Sequence, residues 1–185
     1  QWRKRPKKWL SELSDRVRAR HAQFGEVAFL LEPDLKEGRG GLRDVHALRW
    51  AEAARPVLEE GDAEALAEAE ATLFDVRVAL HRVSKVAGDR LMLQDQDAVA
   101  ADLGTTADAL MSDIAGAART VAWIADETWD RVVASQSSGL SLLGWRSRDR
   151  FPGLVLRGGQ VHLEPNVDPA SQPALVLQAA ILAMR

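Results

Sequence analysis

The chain has 185 residues, of which 46% are hydrophobic and 28% charged, and it contains no cysteine. These values are typical of a globular protein with one sizeable core, and they exclude disulfides and thiolate metal sites within these residues. No apolar run approaches the ~20 residues of a membrane-spanning helix. We therefore expect a cytoplasmic protein without a membrane partner. Because the chain begins at Gln1 rather than Met, we also expect a fragment of a longer protein.

The formal net charge of −3 is unevenly distributed along the chain. Residues 1–20 carry eight Lys or Arg side chains against Glu12 and Asp15. A basic head of this kind is found in nucleic-acid-binding proteins, and it is also the ordinary composition of a solvated helix end. The pattern favours the solvated helix, so nucleic acid is not an expected partner.

Apolar residues recur at helical spacing along most of the chain. In chain order this periodicity predicts five helices: about 7–22, Leu42 to before Pro56, Asp62 to before Gly88, about 94–103 and about 106–134. A last helix is predicted to start near Asp168 and Pro169.

Asp62 is the predicted N-cap of the third helix. Gly104 is the predicted C′ residue of the fourth, and Thr105 with Asp108 resembles a capping box for the fifth. Three tryptophans are predicted to be packing residues: Trp50, Trp123 and Trp129.

Two segments have the composition of β-structure. The apolar run Val27–Leu31 predicts a buried strand, and alternating apolar residues on either side of Gly158 and Gly159 predict a hairpin over about 154–163. The predicted fold class is therefore mainly α, a helical bundle with a short strand near the N-terminus and a small β-hairpin near the C-terminus.

Glu32 stands where the predicted first strand ends. In nucleotidyl transfer, carboxylates hold Mg²⁺ ions that align the phosphates, so a carboxylate at a strand end is a candidate metal ligand. The alternative is a surface carboxylate paired with Lys36. The four histidines have no metal-ligand spacing, so we assign no metal to them.

The glycine-rich loop from Lys36 to Asp44 precedes the second predicted helix. The backbone N–H groups of Gly40 and Gly41 are candidate phosphate contacts, and Lys36 and Arg43 would add positive charge. The alternative is a tight turn into the helix with Asp44 in its first turn. The spacing is neither G-x-G-x-x-G nor a Walker A loop, so both interpretations stay open.

The segment E-P-D-L-K-E-G-R-G-G-L-R-D, from Glu32 to Asp44, resembles the bacterial PII uridylyltransferase/uridylyl-removing enzyme family, whose pattern is close to L-E-P-N-L-K-E-x-x-G-G-L-R-D. Asp34 stands in place of the family's Asn. The resemblance continues through most of the chain, in residues that include Phe74, Arg77, Leu80, His81, Asp89, Arg90, Leu91, Leu103 and Gly104. A related family, glutamine synthetase adenylyltransferase, has a D-x-R-L-R-P motif instead and fits less well.

The resemblance implies three segments: residues 1–41 as the C-terminal edge of a nucleotidyltransferase domain, residues 42–138 as a helical bundle, and residues 139–185 as a linker and hairpin leading to an HD domain. The implied activity is transfer of UMP or AMP from a nucleoside triphosphate to a tyrosine of the PII signalling protein, and its removal. The implied cofactor is Mg²⁺, with Glu32 as a third carboxylate and Lys36 and Arg43 near phosphate. The chain alone would then be inactive and bind neither Mg²⁺ nor nucleotide tightly. A non-catalytic helical module that docks PII or neighbouring domains is the alternative.

Overall fold

The computed structural model describes residues 6–137, 154–157, 160–163 and 174–183. These residues are mainly helical, as the sequence predicts. Their elements are α1 (Pro6–Phe24), α2 (Leu42–Ala54), α3 (Asp62–Ser84), α4 (Leu93–Asp102), α5 (Ala107–Ser137), β1 (Leu154–Arg157), β2 (Gln160–Leu163) and α6 (Ala174–Ala183). Among the described residues, no helix is long and apolar enough to cross a membrane.

The chain divides into two compact units, and the first extends to Val133. Its core is built from the predicted apolar stripes, including Leu66, Leu73, Val76 and Leu80 of α3 and Leu110, Ile114, Val121 and Ile124 of α5. Burying each such side chain stabilises the fold by roughly 1.5–3 kcal/mol.

Trp129 is buried as predicted, whereas the prediction is wrong for Trp50 and Trp123, whose exposed fractions are 50% and 69%. Trp123 lies on the side of α5 opposite the buried residues Ile114 and Val121, so the helical spacing places it at the surface.

The predicted boundary at residue 41 falls inside this first unit, where α1 packs on α2. The assignment of residues 1–41 to a separate catalytic domain stays a prediction. The second unit begins at Ala134, close to the predicted start of the third segment at residue 139.

The helix ends follow local backbone chemistry. Gly104 has φ +71° and ends α4 as predicted; Gly104 N–H donates to Ala101 O, and Thr105 N–H donates to Ala100 O, as in a Schellman motif. The N-cap predictions for Asp62 and Thr105 are wrong by one residue. Gly61 is the N-cap of α3, and the Thr106 hydroxyl accepts the N–H of Ala109 at 3.3 Å at the start of α5.

The short strand predicted near the N-terminus is wrong. Residues Val27–Phe29 form a 3₁₀ helix, and Glu26 makes a single isolated bridge with Arg39. In a strand, Val27 and Phe29 would lie on the same face, yet Val27 is 1% exposed and Phe29 is 74% exposed. Among the described residues, no second strand lies alongside this segment, so its apolar composition has no sheet to join.

In the second unit, β1 and β2 pair antiparallel, with Leu154 opposite Leu163 and Arg157 opposite Gln160. The predicted turn residues Gly158 and Gly159, and the predicted helix start at Asp168 and Pro169, lie outside the described residues. Leu175 of α6 is buried against Leu154, which gives this unit a small core of its own.

Candidate functional site

Residues 32–36 lie alongside residues 89–93. Leu35 N–H donates to Asp89 O at 2.8 Å, and Leu91 N–H donates to Pro33 O at 2.9 Å. Leu35 and Leu91 are both fully buried. These contacts bring together two segments that are more than fifty residues apart in the chain. Both segments contain residues on which the sequence resemblance depends.

Glu32 accepts a hydrogen bond at the start of α4. Its Oε1 lies 3.0 Å from the N–H of Leu93, the first residue of that helix. A carboxylate there satisfies one of the unpaired N–H groups and interacts favourably with the helix dipole. Across the described part of the chain, no group of three or more His, Asp or Glu side chains is placed to hold a metal ion. Glu32 therefore has no metal-binding partners there, and its metal role stays a prediction.

Asp34 shapes the turn that follows. Its Oδ1 accepts the backbone N–H groups of Lys36 at 3.1 Å and Glu37 at 2.8 Å. An asparagine would accept the same bonds through its own Oδ1. The departure from the family pattern at Asp34 is thus compatible with the same turn.

Close packing explains the glycines of the loop. Gly40 has φ +82°, and a Cβ at this position would lie 2.4 Å from the carbonyl oxygen of Ala118 in α5. A Cβ at Gly41 would lie 2.9 Å from the carbonyl oxygens of Gly38 and Leu35. Only glycine fits both positions without movement of the backbone.

The N–H groups proposed to contact phosphate already have acceptors in the protein. Gly40 N–H donates to Asp44 Oδ2 at 2.8 Å, and Gly41 N–H donates to Gly38 O at 2.9 Å. Arg43 N–H donates to Lys36 O at 2.9 Å. These bonds hold the loop on the first turn of α2. They are the bonds expected of a tight turn into the helix, the alternative to phosphate contacts.

Asp44 is a fully buried carboxylate at the junction of α1 and α2. It accepts hydrogen bonds from the Arg20 guanidinium and from Gly40 N–H, and its two oxygens lie 2.9 and 3.0 Å from His21 Nε2. Arg20 and His21 were not predicted as site residues. The only feature of the sequence that could have indicated them is the position of two polar residues near the end of α1.

Asp89 is the centre of a second cluster, at the surface. Arg77 Nε lies 2.5 Å and His81 Nε2 3.6 Å from its Oδ1, while Lys36 Nζ lies 3.3 Å from its Oδ2. Burial by itself raises the pKa of Asp89, but the hydrogen bonds from Arg77 and Lys36 outweigh it and lower that pKa below its ordinary value. The cluster anchors Lys36 to α3, and Arg77 and His81 were not predicted as site residues.

Two arginines of the loop are also paired. Arg43 Nη2 lies 2.8 Å from Glu37 Oε1, and this hydrogen bond raises the pKa of Arg43. Arg39 binds Asp126 of α5 and Glu26, and both contacts raise its pKa, Asp126 most strongly. Lys36 and Arg43 remain 32% and 39% exposed, so they present positive charge on the surface beside the Asp89 cluster.

The comparisons with known proteins agree on one family. The family model described as GlnD PII-uridylyltransferase matches residues 9–129. A bifunctional uridylyltransferase/uridylyl-removing enzyme of Streptomyces coelicolor is 43% identical over 98% of this chain and 23% of its own length. The protein of the same name from Mycobacterium tuberculosis is 36% identical over 97% of this chain and 24% of its own length. The chain therefore spans about a quarter of the length of these curated relatives. No solved structure matches it.

Proposed function

The chain belongs to the GlnD PII-uridylyltransferase family, and we propose that its full-length protein transfers a nucleotidyl group, UMP or AMP, to a tyrosine of the PII signalling protein and removes it again. The observation that carries this proposal is the 43% identity over 98% of the chain to a bifunctional uridylyltransferase/uridylyl-removing enzyme. The partners would be PII and the neighbouring nucleotidyltransferase and HD domains of the same polypeptide.

Within that enzyme, this chain would provide a rigid helical framework for the loop 32–44. Three contacts support this role: the buried Asp44 cluster, the fit of Gly40 against Ala118 and the anchoring of Lys36 by Asp89. Each contact ties the loop to a different helix or segment. A loop held in this way is suited to orient charged groups toward a neighbouring domain, because their positions are fixed before the substrate arrives. The chain alone would neither transfer nor hydrolyse.

Mg²⁺ and a nucleoside triphosphate, UTP or ATP, are the proposed cofactor and substrate of the full-length enzyme. The described residues do not form a complete metal site, so the remaining carboxylates would come from outside them. Glu32 would supply at most one ligand. This ligation would compete with its hydrogen bond to Leu93.

Phosphate contacts in this chain would come from side chains more than from the glycine backbone. The N–H groups of Gly40 and Gly41 already donate within the loop, whereas the side chains of Lys36 and Arg43 stay partly exposed. Flexible cationic side chains can exchange a carboxylate partner for a phosphate.

A second candidate is a non-catalytic helical module that docks PII. The exposed aromatic side chains of Trp50, Phe74 and Trp123 favour it, since exposed aromatic residues are enriched at protein interfaces. The two functions are compatible within one polypeptide. The family match favours both over a glutamine synthetase adenylyltransferase fragment.

The test is a transfer assay with the purified full-length protein, PII and either UTP or ATP carrying a labelled α-phosphate. Label on a PII tyrosine with one nucleotide identifies the transferred group, and absence of label with both contradicts the proposal.

Titration of PII with this chain by calorimetry tests the second candidate, the non-catalytic docking module. Heat of binding at ~100 μM PII, corresponding to about −5.5 kcal/mol, supports docking, and absence of heat argues against it.

A further inference from the structure

Four large apolar side chains lie at the surface beside the candidate site. Phe29 is 74% exposed, Leu30 41%, Leu31 63% and Leu93 54%. We call these four residues the apolar surface. Single exposed apolar residues are common on any protein, but several together, three of them consecutive in the chain, mark an interaction site.

Hydrogen bonds hold the backbone that presents these side chains. The buried side chain of Gln96 donates from Nε2 to Leu31 O at 2.7 Å. Glu32, the next residue, accepts the N–H of Leu93 at 3.0 Å, so the backbone of residues 31 and 32 lies beside the start of α4. Phe29 N–H donates to Glu26 O at 3.2 Å. Such preorganisation lowers the entropy cost of docking.

The size of the surface indicates what covers it. Four side chains are far fewer than the roughly 20–30 residues that each partner contributes to a stable complex between separate molecules. A domain on the same polypeptide needs less area, because the linker supplies a high effective concentration. The relatives are about four times as long as the part that matches this chain, so further domains are available there.

We propose that the apolar surface docks against an apolar surface of another domain of the same full-length polypeptide. This contact would position the loop 32–44 against that domain, because Glu32 connects the surface to the loop. The inference rests on the family membership and on the length of the relatives. It does not rest on the transferred group or on PII, so a failed transfer assay leaves it intact.

The experiment is hydroxyl-radical footprinting of the monomeric full-length protein without PII or nucleotide. Phe29, Leu31 and Leu93 are expected to be labelled at least about fivefold more slowly than their exposure in this chain predicts, since the core of an interface excludes water. Trp123 and Phe74 are exposed to similar extents and serve as internal references outside the surface.

A paired variant tests the cause of the protection. Phe29→Ser with Leu31→Ser is expected to restore the labelling of Leu93 and to increase the radius of gyration in solution scattering, with the thermal unfolding of α1 to α5 unchanged. The matched control, Phe74→Ser, should change neither readout. Unprotected Phe29 and Leu31 in the monomeric wild type overturn the proposal. Protection that requires dimerisation or added PII also overturns it, since a different occupant then covers the surface.

Discussion

The Asp44 carboxylate accepts the backbone N–H of Gly40 at 2.8 Å while it is fully shielded from solvent. One side chain thus closes the glycine loop and, through Arg20 and His21, joins that loop to α1. A buried carboxylate with this many donors is stable only while all of them stay in place.

Asp44→Ala is expected to destabilise the first unit by about 3–5 kcal/mol, because it leaves the Arg20 guanidinium buried without its counter-charge. The measurement is urea unfolding of the protein. Asp75→Ala, at an exposed position of α3, is the control and should change stability by less than about 0.5 kcal/mol. A similar small loss for both variants would contradict the proposed importance of the Asp44 cluster.

Gly40→Ala and Gly116→Ala are expected to change stability in opposite directions. A Cβ at Gly40 would lie 2.4 Å from Ala118 O on a backbone with φ +82°, so we expect a loss of about 2–4 kcal/mol. Gly116 lies within α5 and has no atom within 4 Å of its would-be Cβ. Alanine there should stabilise the helix by roughly 0.5–1 kcal/mol. Thermal unfolding of both variants checks the pair, and equal shifts would show that the loop is not packed on α5.

Glu32 can be tested for its two roles separately. Glu32→Gln keeps an acceptor for Leu93 N–H, so stability should change by less than about 0.5 kcal/mol, whereas Glu32→Ala should cost about 0.5–2 kcal/mol, as for a lost cap. If Glu32 also binds metal, Glu32→Gln slows nucleotide transfer in the full-length enzyme by orders of magnitude. Transfer within a few-fold of wild type, with stability preserved, would leave only the capping role.

Asp89 makes the stability of the loop dependent on pH. Its pKa is lowered in the folded protein, so its stabilising effect is complete above the unfolded pKa of about 4 and is lost as pH falls through the lower folded value. Asp89→Asn should therefore cost about 1–3 kcal/mol at pH 7. Its cost should shrink as the pH falls below about 4. Unfolding curves of the wild type and of Asp89→Asn at pH 7 and below about pH 4 measure this change. A stability difference between the two proteins that does not depend on pH would contradict it.

Lys36→Ala in the full-length enzyme tests the proposed phosphate contact. We expect weaker nucleotide binding by about 1.5–3 kcal/mol, the usual worth of a hydrogen bond to a charged group, measured by titration calorimetry. Arg55→Ala, at an exposed position just after α2, is the control and should bind nucleotide normally. An unchanged dissociation constant for Lys36→Ala would leave the lysine only with its contact to Asp89.

The sequence by itself determined the helices and the family. Apolar spacing such as that of Leu66, Leu73 and Leu80 is set by the geometry of one helix, so it can be recognised without neighbours. The segment from Glu32 to Asp44 was informative for a similar reason, because its residue types occur in a fixed order.

Tertiary structure decided what those residues touch. Val27–Phe29 had the composition of a strand, but a strand needs a neighbour to hydrogen-bond, and the described residues provide only one bridge. Glu32 meets Leu93 and Asp44 meets Arg20 only because distant segments pack together. Local propensity contains no information about such long-range pairs, since hydrogen bonds between distant segments form only when the core places them side by side.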